Sequence, residues 1–178
     1  MTLTPSWVGY GKSFDFSANR PVPIATIMLD QIRDLYQEVV FDHNRNPRNF
    51  RVMEDATRTI DGFNPLCGDR ITLYLKLKDG IIEDVSFQGS GCAISTASAS
   101  LMTEIVRGQT EAEAEQLFEL FHRITTGKNG DDVNLDEIGK LAVLAGVRAY
   151  PARVKCATLA WHSLQVALKD DHSTVSTE

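Results

Sequence analysis

The hydrophobic period changes once along this chain, and that change limits what it can fold into. In "RITLYLKLK", Ile71, Leu73, Leu75 and Leu77 occupy alternate positions, the period of a strand with one buried face. "TRTIDGF" before it and "IIEDVSFQ" after the turn "KDG" read as two more strands, so a small three-stranded antiparallel sheet is expected. From Ala93 the spacing becomes three to four: Ile94, Ala97, Leu101 and Ile105 mark a helix that stops at Gly108. Thr110 and Glu113 then form a capping box for a helix carrying Leu117, Phe118, Phe121 and Ile124. Beyond the turn-rich "TTGKNGDDVN", Leu135, Ile138, Leu141 and Leu144 predict a fourth helix, ending at Gly146, and Val154, Ala157, Trp161, Leu164 and Leu168 a fifth. The first helix precedes the strands, from Ala25 to about His43, on Met28, Ile32, Leu35, Tyr36, Val39 and Val40, and "NRNPRN" ends it. Strands first and helices after give an α+β class, with the sheet packed by about five helices.

A chain of 178 residues that is 43% hydrophobic can bury one ordinary core. One domain is expected over residues 28–169, between a flexible N-terminal arm (1–27) without a helical or alternating period and a disordered polar tail (170–178). A net charge of −6 argues against a nucleic-acid backbone as main partner, which needs clustered Lys and Arg to displace counterions. The apolar stretches fall short of a membrane span, and the first residues carry the pattern of neither a secretory signal nor a mitochondrial presequence. Three cysteines, an odd number, suit a secreted disulfide framework poorly, so cytoplasmic residence with reduced thiols is expected.

Those cysteines stand at junctions between elements. Cys67, in the Pro- and Gly-flanked "NPLCGDR", has Asp69 two residues on, which puts a thiol and a carboxylate side by side. Cys92 ends "FQGSGC", where strand gives way to helix, among free N–H groups and the positive end of the helix dipole. Cys156, in "YPARVKC", is expected in the first turn of the last helix, in a similar field, with Arg153 and Lys155 adding positive charge. Three thiolates and one carboxylate would complete a tetrahedral shell for zinc or ferrous iron. The chain has no C-x-x-C, however, and from spacing alone a shared metal site and three small buried hydrophobes both stand. "GSGCAIS" lacks the third glycine of a dinucleotide loop and "GKNGDD" the closing Glu of a calcium loop. His43, His122 and His162 read as surface or capping residues rather than ligands.

"LYQEVVFDHNRNPRNF", "NPLCGDRITLYLKL", "VSFQGSGCAISTASASLMTEIVRG" and "RVKCATLAWHSL" together resemble the U-type iron-sulfur assembly family, comprising IscU, SufU and the N-terminal domain of NifU. The resemblance implies a three-stranded antiparallel sheet packed by helices, with Cys67, Asp69, Cys92 and Cys156 at the family's metal- and sulfur-binding positions. Lys155 stands where the IscU type has histidine, and the segment from about Thr125 through Val147 is an addition; both are similar to the SufU branch. A protonated lysine cannot ligate zinc, so Asp69 should be the fourth ligand. That branch implies bound zinc and a role beside a SufS-type cysteine desulfurase, as a sulfurtransferase-like partner rather than a stand-alone enzyme. Cys67, on the loop most able to swing, is the expected sulfur acceptor, released when a desulfurase histidine replaces it on the zinc. Arg153 is expected to pair with Asp69 or with a freed thiolate. Two other readings use the same ligands: a scaffold on which a [2Fe-2S] cluster forms from ferrous iron and passes to apo-proteins, and a purely structural zinc module.

Overall fold

The computed structural model describes residues 37–127, 139–169 and 174–177. Strand β2 (Asp69–Lys78) carries the alternation furthest: Asp69, Ile71, Leu73 and Leu75 are buried, while the residues between them reach solvent. It pairs antiparallel with β1 (Arg58–Asn64) on one side and with β3 (Ile81–Ser90) on the other. The β2–β3 hairpin turns on Asp79 and Gly80, both at positive φ (53° and 74°), the two-residue geometry whose twist matches the strands. Leu73, Leu75, Ile82 and Val85 are fully buried, each removal from water contributing roughly 1.5–3 kcal/mol.

Helix α1 occupies residues 37–45 among those described. After β3 come α2 (Ala93–Val106), α3 (Glu111–Thr126), a 3-10 helix (Gly139–Ala149) and α4 (Pro151–Leu168). The capping box forms as the spacing predicts: the Thr110 hydroxyl accepts the Glu113 N–H while the Glu113 carboxylate accepts the Thr110 N–H. Proline opens α4, where its missing N–H costs nothing. That helix is buried over most of its circumference because it packs against α2, α3 and β1. Trp161 on α4 stacks on Phe121 of α3, with ring centroids 4.6 Å apart. The approach of α4 to β1 requires Gly62, since a Cβ there would lie 2.6 Å from Ser163 Oγ and 2.9 Å from Ile71 Cγ2.

The α+β class stands, with five helical segments among the described residues, but three expectations change. The sheet has four strands, in the order β3-β2-β1-β4, because Val175–Ser176 (β4) runs parallel to β1 opposite Gly62 and Phe63. The tail expected to be disordered therefore contributes a strand over these residues: β1 would otherwise present an open edge, and Val175 buries its side chain there. The fourth helix is 3-10 rather than α and continues past Gly146 to Ala149, carried by buried Leu141, Val143, Leu144 and Val147. Leu135, Ile138, the arm and the first helix before residue 37 lie outside the described residues. No helix among the described residues is long and apolar enough to cross a membrane.

Candidate metal centre

The period of β1 and β2 carries polar groups into the buried face at one end of the sheet. Ile60, Gly62 and Asn64 share the inner face of β1, and Asp69 continues that of Ile71 and Leu73 on β2. Asn64 and Asp69 are the last register pair of the hairpin, and neither exposes any surface. The chain between them turns through Pro65, Leu66, Cys67 and Gly68, closed by the Gly68 N–H donating to the Asn64 carbonyl at 2.8 Å. Gly68 takes φ +72°, open to glycine at no steric cost. Cys67 is thereby held exposed at the tip.

Helix α4 brings Cys156 to this tip. Its Sγ lies 3.0 Å from Cys67 Sγ, and the Cys67, Asp69 and Cys156 donor atoms all fall within 4.8 Å of one another. All three cysteines are free thiols. Cys92 is the N-cap of α2, as its position predicts, and its sulfur accepts the Ser95 N–H at 3.5 Å. It stands outside the group of three and reaches the site through its backbone, whose N–H donates to Asp69 Oδ1 at 2.8 Å. The turn before it needs Gly91, where a Cβ would press to 3.0 Å from that same Oδ1.

Cys156 differs from expectation. With Pro151 at the start of α4 it falls in the second helical turn, buried, away from the free N–H groups of the first. Burial pushes its thiol pKa well above the ordinary range, and hydrogen bonding to Cys67 and Asp69 adds to the rise. Arg153 is not paired with Asp69 here; exposed at the helix start, its guanidinium lies over the Tyr150 ring, 4.2 Å from the centroid. Lys155 lines a groove with His122, Thr158 and His162. None of the described histidines joins the donor group, and His43 is buried rather than at the surface, its Nδ1 2.7 Å from Ser100 Oγ.

Asn64 is the residue that reading by motif misses. Its amide nitrogen donates to Asp69 Oδ2 at 3.1 Å and to Cys156 Sγ at 3.3 Å, and its amide oxygen accepts the Leu66 N–H at 3.1 Å. The signal lies in the alternation of β1, which puts Asn64 on the inner face. Chemically, two soft sulfurs and a hard oxygen within reach of one ion suit zinc or iron, and a buried thiol beside a buried carboxylate cannot both carry charge cheaply without a cation. The donor set fits a metal.

Known proteins bear on this arrangement. The NifU-like N-terminal domain family matches residues 35–157. The zinc-dependent sulfurtransferase SufU of Bacillus subtilis (strain 168) is 45% identical over 131 residues, covering 74% of this chain and 87% of that protein. The iron-sulfur cluster assembly scaffold protein IscU of Streptococcus pyogenes serotype M1 is 40% identical over 141 residues, covering 79% and 87%. Among solved structures, a candidate iron-sulfur cluster assembly scaffold of the SUF system from Fervidobacterium islandicum AW-1 superposes with a TM-score of 0.69 at 33% identity, covering 76% of this chain and 98% of that one.

Proposed function

This chain belongs to the family of NifU-like N-terminal domains, and on that premise we propose that it carries sulfur from a SufS-type cysteine desulfurase into iron-sulfur cluster assembly. The observation that carries the reading is the contrast among the grouped donors: Cys67 is exposed at a hairpin tip, while Cys156 and Asp69, close by, are buried. Only an exposed sulfur can reach into another protein's active site. The similarity to a zinc-dependent sulfurtransferase supports the same choice.

Cys67, Asp69 and Cys156 are the residues that would hold zinc, with Cys92, whose sulfur caps α2 beside them, as the fourth, and the ion's charge, when bound, favours thiolate over thiol among them. The transfer is then a thiol–disulfide-type exchange. The Cys67 thiolate attacks the terminal sulfur of the desulfurase's cysteine persulfide. An S–S bond forms at Cys67 as the one on the desulfurase breaks, and the desulfurase cysteine leaves as a thiolate, so nothing is oxidised or reduced overall. Asp69, held by the Cys92 N–H and the Asn64 amide, stays fixed while the tip moves. Free thiols persist in a reducing compartment, which makes the cytoplasm the proposed place of action.

A second reading, a cluster scaffold, is supported by the same donors, which suit iron, and by the 40% identity to an IscU scaffold over 79% of this chain. Replacing Cys67 by Ala separates these readings from a structural ion. The transfer reading expects a folded variant that no longer raises desulfurase turnover with cysteine as substrate. Unchanged turnover would remove Cys67 as acceptor, and an unfolded variant would favour the structural role.

A further inference from the structure

Asn64 sits 92 residues from Cys156 in sequence, yet its side chain touches two of the grouped donors and the backbone of the hairpin that bears the third. The orientation of its amide follows from chemistry: the Leu66 N–H can only donate, so it must face the amide oxygen, and the NH2 must then face Asp69 and Cys156. Both N–H donors are used, one on the Asp69 carboxylate and one on the Cys156 sulfur.

We infer that Asn64 is a positioning residue for the metal centre, fixing Asp69 and Cys156 at their mutual spacing and tying them to the Cys67 hairpin. The inference rests on the reading that these residues hold a metal. Three physical points carry it. Asn64 has no exposed surface, so its donors meet the ligands without competition from water. Its partners are two different ligands on two different elements, the start of β2 and the second turn of α4, so one amide sets their mutual distance. Its oxygen is occupied by the Leu66 N–H, one residue before Cys67, so the same group registers the hairpin tip against the buried pair. The division of labour follows: Asn64 fixes the buried ligands and the base of the hairpin, and Cys67 projects beyond it at the exposed tip.

The isosteric variant tests the donors directly. Asn64→Asp keeps the shape and the acceptor for Leu66 N–H but presents oxygen, not N–H, to two anions; Asn64→Ala removes the side chain. Zinc affinity of purified full-length protein, measured by chelator competition without any desulfurase, is expected to fall roughly ten- to hundredfold in both, as for other partners of metal ligands. Melting of the metal-free proteins supplies the second readout: Asn64→Asp, which buries a second carboxylate beside Asp69, is expected to melt below the parent yet to stay folded at the temperature of the zinc titration. An Asn64→Asp protein that binds zinc as the parent does overturns the positioning role. A parent that fails to bind zinc overturns the metal reading itself, and with it the role of Asn64, so the two failures are told apart by the parent alone.

Discussion

Cys67 and Cys156 lie 3.0 Å apart but differ in what surrounds them, and that difference assigns their roles. Cys67→Ala removes an exposed sulfur and should leave the thermal midpoint of the metal-free protein within a degree or two, whereas Cys156→Ala opens space in the packed interior and should lower it measurably. Calorimetry of both metal-free variants checks this ordering. Gly91→Ala should weaken metal binding without unfolding the chain, because the added methyl meets Asp69 Oδ1 at 3.0 Å and Ser95 Oγ at 3.2 Å; chelator competition measures it. All four expected ligands were legible as junction residues, and three of them converge on one point. Cys156 was harder to place: the start of a helix at Pro151 is a matter of backbone geometry, and one turn of difference exchanges the field of free N–H groups for burial. Asn64 escaped because an Asn before a Pro reads as a turn residue, while its function depends on a helix far along the chain.

At the level of elements, strong periodicity survived and weak signals did not. The alternation of β2 and the capping box of α3 are local and appear as read. Strand β4 is two residues long, with no period of its own, and exists only because β1 offers an edge. The capping box has a pH signature. Hydrogen bonds from the Thr110 N–H, and then from its hydroxyl, hold the Glu113 carboxyl below the usual carboxylate range. A group whose folded pKa is lowered adds stability above its unfolded pKa and loses it as pH falls through the folded value. Thr110→Ala keeps the N–H but removes the hydroxyl, so it should lower the thermal midpoint at neutral pH, and the part of the deficit due to the hydroxyl–carboxylate bond should vanish in acid, which thermal melts across that range would show.

Across the whole molecule, the centre joins the β1–β2 hairpin to the second turn of α4, and the Cys92 N–H on Asp69 holds the start of α2 to it. An ion bound there ties them only in the folded state. Removing metal with a chelator should lower the unfolding midpoint, and restoring zinc to a hundredfold excess over its dissociation constant should return about 2.7 kcal/mol. A midpoint indifferent to zinc would deny that these elements share an ion. The family likeness and the fold were both readable in advance because motif order and hydrophobic period extend along most of the chain. The fourth strand was not readable, because it depends on pairing with β1, far from it in the sequence. The central claim is that Cys67 accepts sulfur, and the most direct measurement is mass spectrometry of the protein after incubation with a SufS-type desulfurase and cysteine. The account predicts one added sulfur atom, located on the Cys67 peptide and missing from Cys67→Ala. Sulfur found instead on Cys92 or Cys156, or no added sulfur on a zinc-loaded protein, would contradict it.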